Sequence, residues 1–424
     1  MRDIRQLLLA SFRAALASAD PLQIVPAHLP PPPAGRTLVV GAGKAAASMA
    51  AAVEASWPPG APLEGVVITR YGHGLPARRI RVVEAGHPVP DEAGEEAARE
   101  ILARARALGE DDLLLVLVSG GGSSLLSLPV DGVSMADLKA VTRDLLASGA
   151  PIQDMNTIRK HLSTIQGGRL ALATRARVLA LVISDVTGDD PTHIASGPCS
   201  PDPTTYAEAL DILQRFGVTA PASIAAHLAR GAAGEIPETP KAGDQGFNRV
   251  DVRVIATAHA SLMSAAAFVQ SRGITPMVLG DSVTGESREV AKVHAAIARQ
   301  LRQHAHPFHP PVAVISGGET TVTLRGKGKG GRCSEFLLSL AVELGGLGNT
   351  WALAADTDGI DGAEANAGAI VSPDVLARAA ALGLDAKRLL ADNDGYGFFS
   401  ALGDLVVTGP TRTNVNDFRI VLVL

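Results

Sequence analysis

The chain has 424 residues and a formal net charge of −5, and 46% of its residues are hydrophobic. That length is enough for two ordinary domains, each with its own core. The acidic balance and the lack of a basic tract argue against a nucleic-acid-binding surface, and no run approaches the ~18 consecutive apolar residues of a membrane span.

The chain opens with an amphipathic stretch, residues 1–21, that predicts a helix. Arg5 and Arg13 interrupt the apolar run that a signal peptide needs. The two cysteines, Cys199 and Cys333, lie far apart and give no zinc-binding spacing. These features predict a soluble, cytoplasmic protein in a reducing compartment, without a membrane or nucleic-acid partner.

Short apolar runs that end in glycine or small polar residues follow, and alanine-rich helical segments separate them. They are "TLVVGAG" (37–43), "GVVITRYG" (65–72), "DLLLVLVSGGGSS" (112–124) and "RVLALVISDVTGDD" (177–190). This alternation predicts an α/β fold with a mostly parallel, Rossmann-like sheet covered on both faces. Because ligands of such sheets bind beyond the carboxyl ends of the strands, we expect the functional site there.

The apolar periodicity disappears over residues 231–247, "GAAGEIPETPKAGDQGF", which predicts a domain boundary. We therefore predict an N-terminal Rossmann-like α/β domain over 1–240 and a C-terminal α/β domain over 248–424. In residues 402–424, two apolar runs flank a polar turn, which predicts a hairpin or strand pair. These last strands are candidates to pack back toward the N-terminal domain.

The turn after the first predicted strand, Gly41 to Ala46, reads G-A-G-K-A-A. It fits the relaxed dinucleotide fingerprint G-x-G-x-x-A, in which Gly43 would approach a pyrophosphate. It also carries Lys44, which could instead contact a phosphate that is being transferred. The next strand ends without the acidic residue that binds a ribose, which disfavours NADH. Arg70 at its end could accommodate the 2′-phosphate of NADPH.

A second glycine-rich loop follows the strand that ends at Val118. Consecutive glycines let backbone amides approach an anion, and serine hydroxyls add donors. The alternative is a tight turn with a serine cap. We predict phosphate binding by Ser119, Gly120, Gly121, Gly122, Ser123 and Ser124.

Carboxylates also follow predicted strands. Asp185 and Asp189 are the predicted ligands of Mg²⁺, which needs only one or two carboxylates besides phosphate and water. Asp189 is in addition a predicted catalytic residue, and the alternative is an aspartate that caps the next helix. A second cluster in "AADTDGIDG" (354–362) is expected to line the same cleft.

The segment "ISGGETTVTLRGKGKGGR" (315–332) repeats the strand-Ser-Gly-Gly pattern and then becomes basic. We predict nucleotide contacts by Gly317, Glu319 and Lys329, from a flexible loop that ends at Arg332. A solvated loop is the alternative. His87 and His161 each lie near a glycine-bearing turn, and packed structural histidines explain them equally well.

These features together match the needs of phosphoryl transfer. The lysine and the basic loop offer cations for the transferred charge, the glycine loop offers amides for the phosphates, and the strand-end aspartates offer ligands for Mg²⁺. The sequence also resembles the class II glycerate 2-kinases, the family with a C-terminal MOFRL domain, in which some members are labelled hydroxypyruvate reductases. The resemblance covers essentially the whole chain. It rests on "VVGAGKAA", "GHPVPDEAG", "LVSGGGSSLL", "IRKHLSTIQGGRLA", "SDVTGDDPTHIASGP", "SGGETTVTLRGKGKGGR", "DTDGIDG" and "VVTGPTRTNVNDFRI".

The resemblance implies ATP-dependent phosphorylation of D-glycerate at the 2-hydroxyl, a Mg²⁺ requirement and an active site between two α/β domains. It also implies that Lys44 and Arg332 form the catalytic pair. Cys333 and Ser334 stand where the family often has Asn-Gln. An NAD(P)H-dependent hydroxypyruvate reductase and a nucleotide-binding sensor are the alternatives, and a homodimer is one candidate for the oligomeric state.

Overall fold

The computed structural model describes residues 2–424, which form two compact units. The Rossmann-like unit is Pro21–Ile255. The C-terminal unit combines Ala256–Leu424 with the chain up to Asp20, which contains helix α1 (Arg2–Ala17). No helix within residues 2–424 has both the length and the apolar character needed to cross a membrane.

The Rossmann-like unit alternates strands with helices. Its helices are α2 (Pro21–Ile24), α3 (Ala46–Ser56), α4 (Glu92–Arg106), α5 (Gly122–Leu125), α6 (Met135–Ala147), α7 (Ile152–His161), α8 (Arg169–Leu172), α9 (Tyr206–Arg215) and α10 (Ala222–Ala232), with 3₁₀ turns at Val25–His28, Ile194–Ser196 and Gln245–Arg249. Its strands are β1 (Thr37–Ala42), β2 (Leu63–Arg70), β3 (Ile80–Ala85), β4 (Leu113–Val118), β5 (Arg177–Ile183) and β6 (Val250–Ala256).

These strands form one sheet in the order β3-β2-β1-β4-β5-β6. The first five strands in this order are parallel to their neighbours. Strands β1 and β4 are buried along their whole length, as expected for parallel strands with helices on both faces. The strand order reverses between β1 and β4, which makes this the switch point where α/β sheets bind ligands. The predicted α/β class with a Rossmann-like parallel sheet is confirmed.

The C-terminal unit is built on a second, mixed sheet. Its further helices are α11 (Ala258–Gln270), α12 (Ser287–His304), α13 (Arg332–Leu344), α14 (Val375–Ala381), α15 (Ala386–Ala391) and α16 (Gly395–Leu402). Its strands are β7 (Thr275–Gly280), β8 (Gly285–Glu286), β9 (Val312–Gly318), β10 (Thr320–Thr321), β11 (Thr350–Asp356), β12 (Gly368–Val371), β13 (Leu405–Val406) and β14 (Asp417–Val423).

The order of this sheet is β13-β12-β11-β14-β9-β7, with β14 antiparallel to both of its neighbours. The predicted hairpin over 402–424 was wrong, because β13 pairs with β12 while β14 lies between β11 and β9. The segment that joins them turns away from a hairpin geometry: Thr411 N donates to Asp358 O at 3.1 Å and Val415 N to Thr357 Oγ1 at 2.9 Å.

Helix α1 belongs to the C-terminal unit, whereas the sequence analysis included residues 1–20 in the N-terminal range. Its apolar stripe is buried against α11: Leu8 and Phe12 share a core cluster with Leu262 and Val269. The Ser261 hydroxyl also donates to Ala15 O at 2.9 Å. An amphipathic helix must cover its apolar face, and here the cover comes from residues about 250 positions later in the chain.

Candidate functional site

Two loops meet at the switch point of the Rossmann-like unit. In the ladder of β1 and β4, Ala42 is paired with Val118, so the residues that follow each strand emerge at the same edge. Lys44 N donates to Gly120 O at 2.8 Å, and Ala45 N donates to the Ser119 hydroxyl at 3.0 Å. The Gly41–Ala46 turn and the Gly120–Gly122 loop therefore form one bonded assembly.

The backbone amides of the first turn are already used within the protein. Besides the two bonds just described, Gly43 N donates to Ile68 O and Ala46 N to Gly43 O, both at 3.1 Å. A pyrophosphate cradle needs such amides to point at the ligand. The turn therefore does not support the dinucleotide interpretation, and Lys44, which is half-buried, is its one charged residue.

Ser119 is also a structural residue, because its hydroxyl is fully buried and accepts the Ala45 bond. The Ser124 hydroxyl donates to Gly121 O at 3.1 Å. Helix α5, which begins at Gly122, is only four residues long and so offers little helix dipole for an anion. Of the predicted phosphate contacts in this loop, Ser119 and Ser124 hold the loop's own shape.

Gly121 shows how closely the site is packed. Its φ of +79° is left-handed, and a Cβ there would lie 2.8 Å from Nε2 of His87 and 3.5 Å from Cγ of Lys44. Only glycine fits both the conformation and the space. The half-buried His87 ring and the Lys44 stem thus flank this glycine, which places His87 in the site.

A polar network continues from the loop into the unit. The hydroxyls of Ser123 and Ser196 are hydrogen-bonded at 2.9 Å, and Ser196 Oγ lies 3.2 Å from Asn156 Oδ1, which also accepts from Arg159 Nη1 at 3.2 Å. Ala195 and Ser196 are both left-handed, with φ of 50° and 58°. Such strain costs roughly 1–3 kcal/mol per residue and gathers at functional sites.

Asn156, Arg159 and Ser196 were not among the site residues predicted from the sequence. The motif "IASGP" was a usable signal, since a serine before a Gly-Pro pair follows the aspartate loop. His161, by contrast, is a packed structural histidine. It is fully buried, its Nδ1 lies 2.8 Å from Thr157 O, and its ring stacks edge-on against Tyr206.

The predicted magnesium loop follows β5 at the same sheet edge. Asp185 and Asp189 are both half-buried, and Asp189 has a left-handed φ of 55°. Asp190 caps a turn by accepting from Thr192 N at 2.9 Å. Burial raises the pKa of Asp190, but its bonds from Thr192 outweigh that effect and leave the pKa below its usual value. Within residues 2–424 there is no cluster of three or more metal-ligating side chains.

Arg332 begins α13 in the C-terminal unit and is surrounded by carboxylates. Its Nε donates to Asp417 Oδ1 at 2.7 Å, its Nη2 to Asp356 Oδ2 at 2.8 Å, and its Nη1 to Glu319. Burial lowers the pKa of the guanidinium, but these three charges raise it more, so the pKa lies above its usual value. Arg332 is thus a fixed cation with its charge fully compensated.

A carboxylate also covers the N-terminus of α13. Cys333 N and Ser334 N donate to the two oxygens of Asp361 at 2.9 and 2.8 Å. The pKa of Asp361 is raised to about 6, mainly by burial and further by the charge of Asp417, although the bonds from Cys333 and Ser334 act to lower it. Asp361 therefore takes the position that a phosphate would need at this helix end.

The basic loop before Arg332 is anchored, in contrast to the flexible loop predicted from the sequence. Lys327 N and Lys329 N donate to the carboxylates of Asp392 and Asp394 at 3.0 and 3.1 Å. A Cβ on Gly328 would lie 2.5 Å from Cβ of Asp394, so this glycine serves close packing. The exposed Lys329 ammonium lies 3.2 Å from a Glu364 oxygen.

Two other predicted nucleotide contacts lie in β9 or directly after it. Gly317 lies in β9, and its carbonyl accepts from Arg419 Nη1 at 3.1 Å. Glu319 follows β9 and leaves 55% of its side chain exposed. In the C-terminal unit, Glu319 and Arg332 are thus in direct contact.

The strand order and the switch-point loops place the chain among the Rossmann-like α/β proteins. Residues 7–229 match the family model described as "Domain of unknown function (DUF4147)", and residues 312–417 match the MOFRL family. The chain is 51% identical to an Agrobacterium vitis protein that carries a provisional hydroxypyruvate reductase name, over 99% of this chain and 94% of that one. It is 38% identical to a glycerate 2-kinase of Pyrococcus horikoshii, over 92% and 88% of the two chains.

The crystal structure of a glycerate kinase from Thermotoga maritima superimposes with a TM-score of 0.89 at 36% identity and covers 100% of both chains. The chain therefore belongs to the glycerate kinase family that joins a DUF4147 domain to a MOFRL domain.

Proposed function

We propose that the protein transfers the γ-phosphoryl group of ATP to the 2-hydroxyl of D-glycerate, giving 2-phosphoglycerate and ADP. The observation that carries this proposal is the lysine at the switch point. The backbone amides of the turn around Lys44 are bonded within the fold, and the turn places a lysine beside a glycine loop, at the edge where this sheet class binds ligands. A compact cation at that place suits a phosphoryl oxygen.

In the reaction the 2-hydroxyl oxygen bonds to the γ-phosphorus, the bond from that phosphorus to the bridging oxygen breaks with its electron pair leaving on ADP, and the hydroxyl proton passes to the Asp189 carboxylate. Lys44 neutralises charge on the phosphoryl oxygens, which is the main task in phosphoryl transfer. Asp189 is the proposed catalytic carboxylate that orients the attacking hydroxyl, as an aspartate does in other kinases.

Asp185 and Asp189 also fit a bound Mg²⁺, because two half-buried carboxylates at a strand end match its preference for few protein oxygens. When bound, Mg²⁺ would supply positive charge to the phosphates of ATP.

Arg332 is proposed as the second cation of the reaction. Its guanidinium already bonds three carboxylates, and the most exposed of them is Glu319, with 55% of its side chain accessible. We propose that a phosphate oxygen replaces Glu319 on Nη1, while Asp356 and Asp417 keep the plane of the guanidinium fixed. Arginine in a fixed plane suits directed phosphate contact.

The second candidate is a hydroxypyruvate reductase, favoured by the name of the Agrobacterium vitis relative. The dinucleotide interpretation on which it rests meets two obstacles. The turn amides are used internally, and β2 ends at Arg70 with no acidic residue for a ribose.

A coupled assay tests both candidates on the same preparation. D-glycerate, ATP and Mg²⁺ should release ADP, whereas hydroxypyruvate should leave the absorbance of NADH and NADPH unchanged. Phosphorus NMR of the product then gives the position, with coupling to the C2 proton expected. A folded protein that binds ATP but releases no glycerate-dependent ADP would falsify the kinase proposal.

A further inference from the structure

One arginine of the Rossmann-like unit has no counter-charge. Arg159 lies in the last turn of α7, and its side chain is half-buried. Its single hydrogen bond to another described residue joins Nη1 to Asn156 Oδ1 at 3.2 Å, although a guanidinium carries five N–H donors. Within residues 2–424 no carboxylate forms an ion pair with it.

Neighbouring cations in this unit are compensated. Lys160, the next residue, lies 2.6 Å from Asp202 with both side chains fully buried. Burial lowers the pKa of Arg169, and the carboxylates of Asp202 and Glu238 partly restore it. Burial also lowers the pKa of Arg159, with no charged neighbour to offset the effect. A desolvated and unpaired cation is costly, which favours an anion as its partner.

Arg159 lines a small pocket together with serines of the switch-point loop, Ser123, Ser124 and Ser127. Two other polar side chains of this pocket are bonded to the backbone: Ser127 Oγ donates to Ser123 O at 3.1 Å, and Gln166 Nε2 donates to Ser123 O at 2.8 Å. Arg159 is therefore the cationic donor of the pocket that remains available to a ligand.

One loop connects the wall of the pocket to the switch-point turn. Ser123, on its wall, is linked to Arg159 by hydrogen bonds through Ser196 and Asn156. A Cβ on Gly121, two residues earlier, would lie 3.5 Å from Cγ of Lys44. The loop over residues 120–123 thus links the Arg159 pocket to the turn that carries Lys44, because Lys44 N donates to Gly120 O.

We infer that Arg159 binds the carboxylate of the acceptor substrate and makes the enzyme selective for short hydroxy acids over neutral polyols. This inference rests on the proposed kinase function and adds the residue that selects the acceptor. A planar guanidinium matches a carboxylate through two parallel bonds, and charge-assisted bonds of this kind are among the strongest in proteins. The bond from Arg159 Nη1 to Asn156 Oδ1 orients the guanidinium.

The test compares D-glycerate with its neutral amide, glyceramide, as acceptor. A hydrogen bond to a charged group is worth roughly 1.5–3 kcal/mol, about 10- to 150-fold, so the wild type should prefer D-glycerate by about 10² in kcat/KM. Arg159→Gln should reduce this preference to within a few fold. It should raise the KM for D-glycerate with little change in the KM for ATP. Arg169→Gln, a nearby arginine with compensating charges, is the control and should keep the preference.

Three results would overturn the inference. Equal losses with both acceptors would make Arg159 structural, and a rise confined to the KM for ATP would make it a nucleotide contact. An unchanged acceptor preference would remove it from the site. If Arg159→Gln does not fold, Arg159→Lys keeps the charge without the fork and should retain only part of the preference.

Failure of the proposed function can be told apart from failure of the inference. Should the wild type release no ADP, titration calorimetry with D-glycerate decides. Binding that is lost in Arg159→Gln and kept in Arg169→Gln supports the carboxylate site, while unaltered binding or no binding to the wild type contradicts it.

Discussion

Replacing Lys44 with alanine is the most direct test of the switch-point chemistry. Two unit charges 4 Å apart at an effective dielectric constant of ~20 interact by about 4 kcal/mol, or about three decades in rate. The ground state of ATP is also anionic, so only part of that energy is specific to the transition state. Because Lys44 is half-buried, we expect Lys44→Ala to lower kcat by on the order of 10² or more, with a smaller change in KM.

Steady-state ADP release with D-glycerate gives both constants, and ATP binding is measured separately by calorimetry. Lys44→Arg should rescue poorly, because Gly121 and His87 leave little room beside the stem for a planar fork. Lys387→Ala, at an exposed lysine of α15, is the matched control and should keep the wild-type kcat. Near-normal kcat in a folded Lys44→Ala protein that binds ATP would refute the role of Lys44.

Three further results should follow from the structure. Gly121→Ala should lower both the melting temperature and kcat, whereas Gly132→Ala, with a similar φ of +83° and open space around it, should lower stability alone by roughly 1–2 kcal/mol; equal kcat values would contradict this. Lys160→Met should destabilise by about 3–5 kcal/mol in denaturant unfolding because Asp202 stays buried without its cation, and adding Asp202→Asn should restore part of the loss.

The folded pKa of Asp361 is raised from 3.8 to about 6, so the folded state holds the extra proton between these values. The protonated carboxyl therefore contributes on the order of 3 kcal/mol to the free energy of unfolding. This contribution is fully present below about pH 4 and is lost as the pH rises through about 6. The stability of the wild type should fall relative to that of Asp361→Asn as pH rises across that interval; a constant difference would contradict the pKa shift, and a relative rise would contradict its sign.

The parallel sheet could be predicted because strands such as β1 and β4 are buried on both faces and so are apolar without interruption. The places of β13 and β14 could not, since their antiparallel partners are chosen by contacts far away in the chain. The pattern of α1 shows that one face is covered but carries no information about which element covers it.

In the site, too, some features could be predicted from the sequence and others could not. Lys44 and the triple glycine are visible as motifs because a turn with such residues has few other uses. The use of the turn amides is not visible, because their acceptors, Ile68 O in β2 and Gly120 O in the loop after β4, belong to distant parts of the sequence. Arg159 was missed because a basic residue in a helix is usually solvated, and its pocket exists only once α7 packs beside the Ser123 loop.

The path of the chain through the two units has a consequence for biosynthesis. The Rossmann-like unit is one continuous segment, Pro21–Ile255, so all of its strands but the last residue of β6 are available once that segment has been made. Helix α1 is made before it, yet its cover, α11, is made after it. Strand β14, an inner strand of its sheet, follows every other strand of that sheet along the chain. On the ribosome, the Rossmann-like unit can fold first, while the apolar face of α1 and the adjoining edges of β9 and β11 stay open to chaperones and to aggregation until β14 emerges.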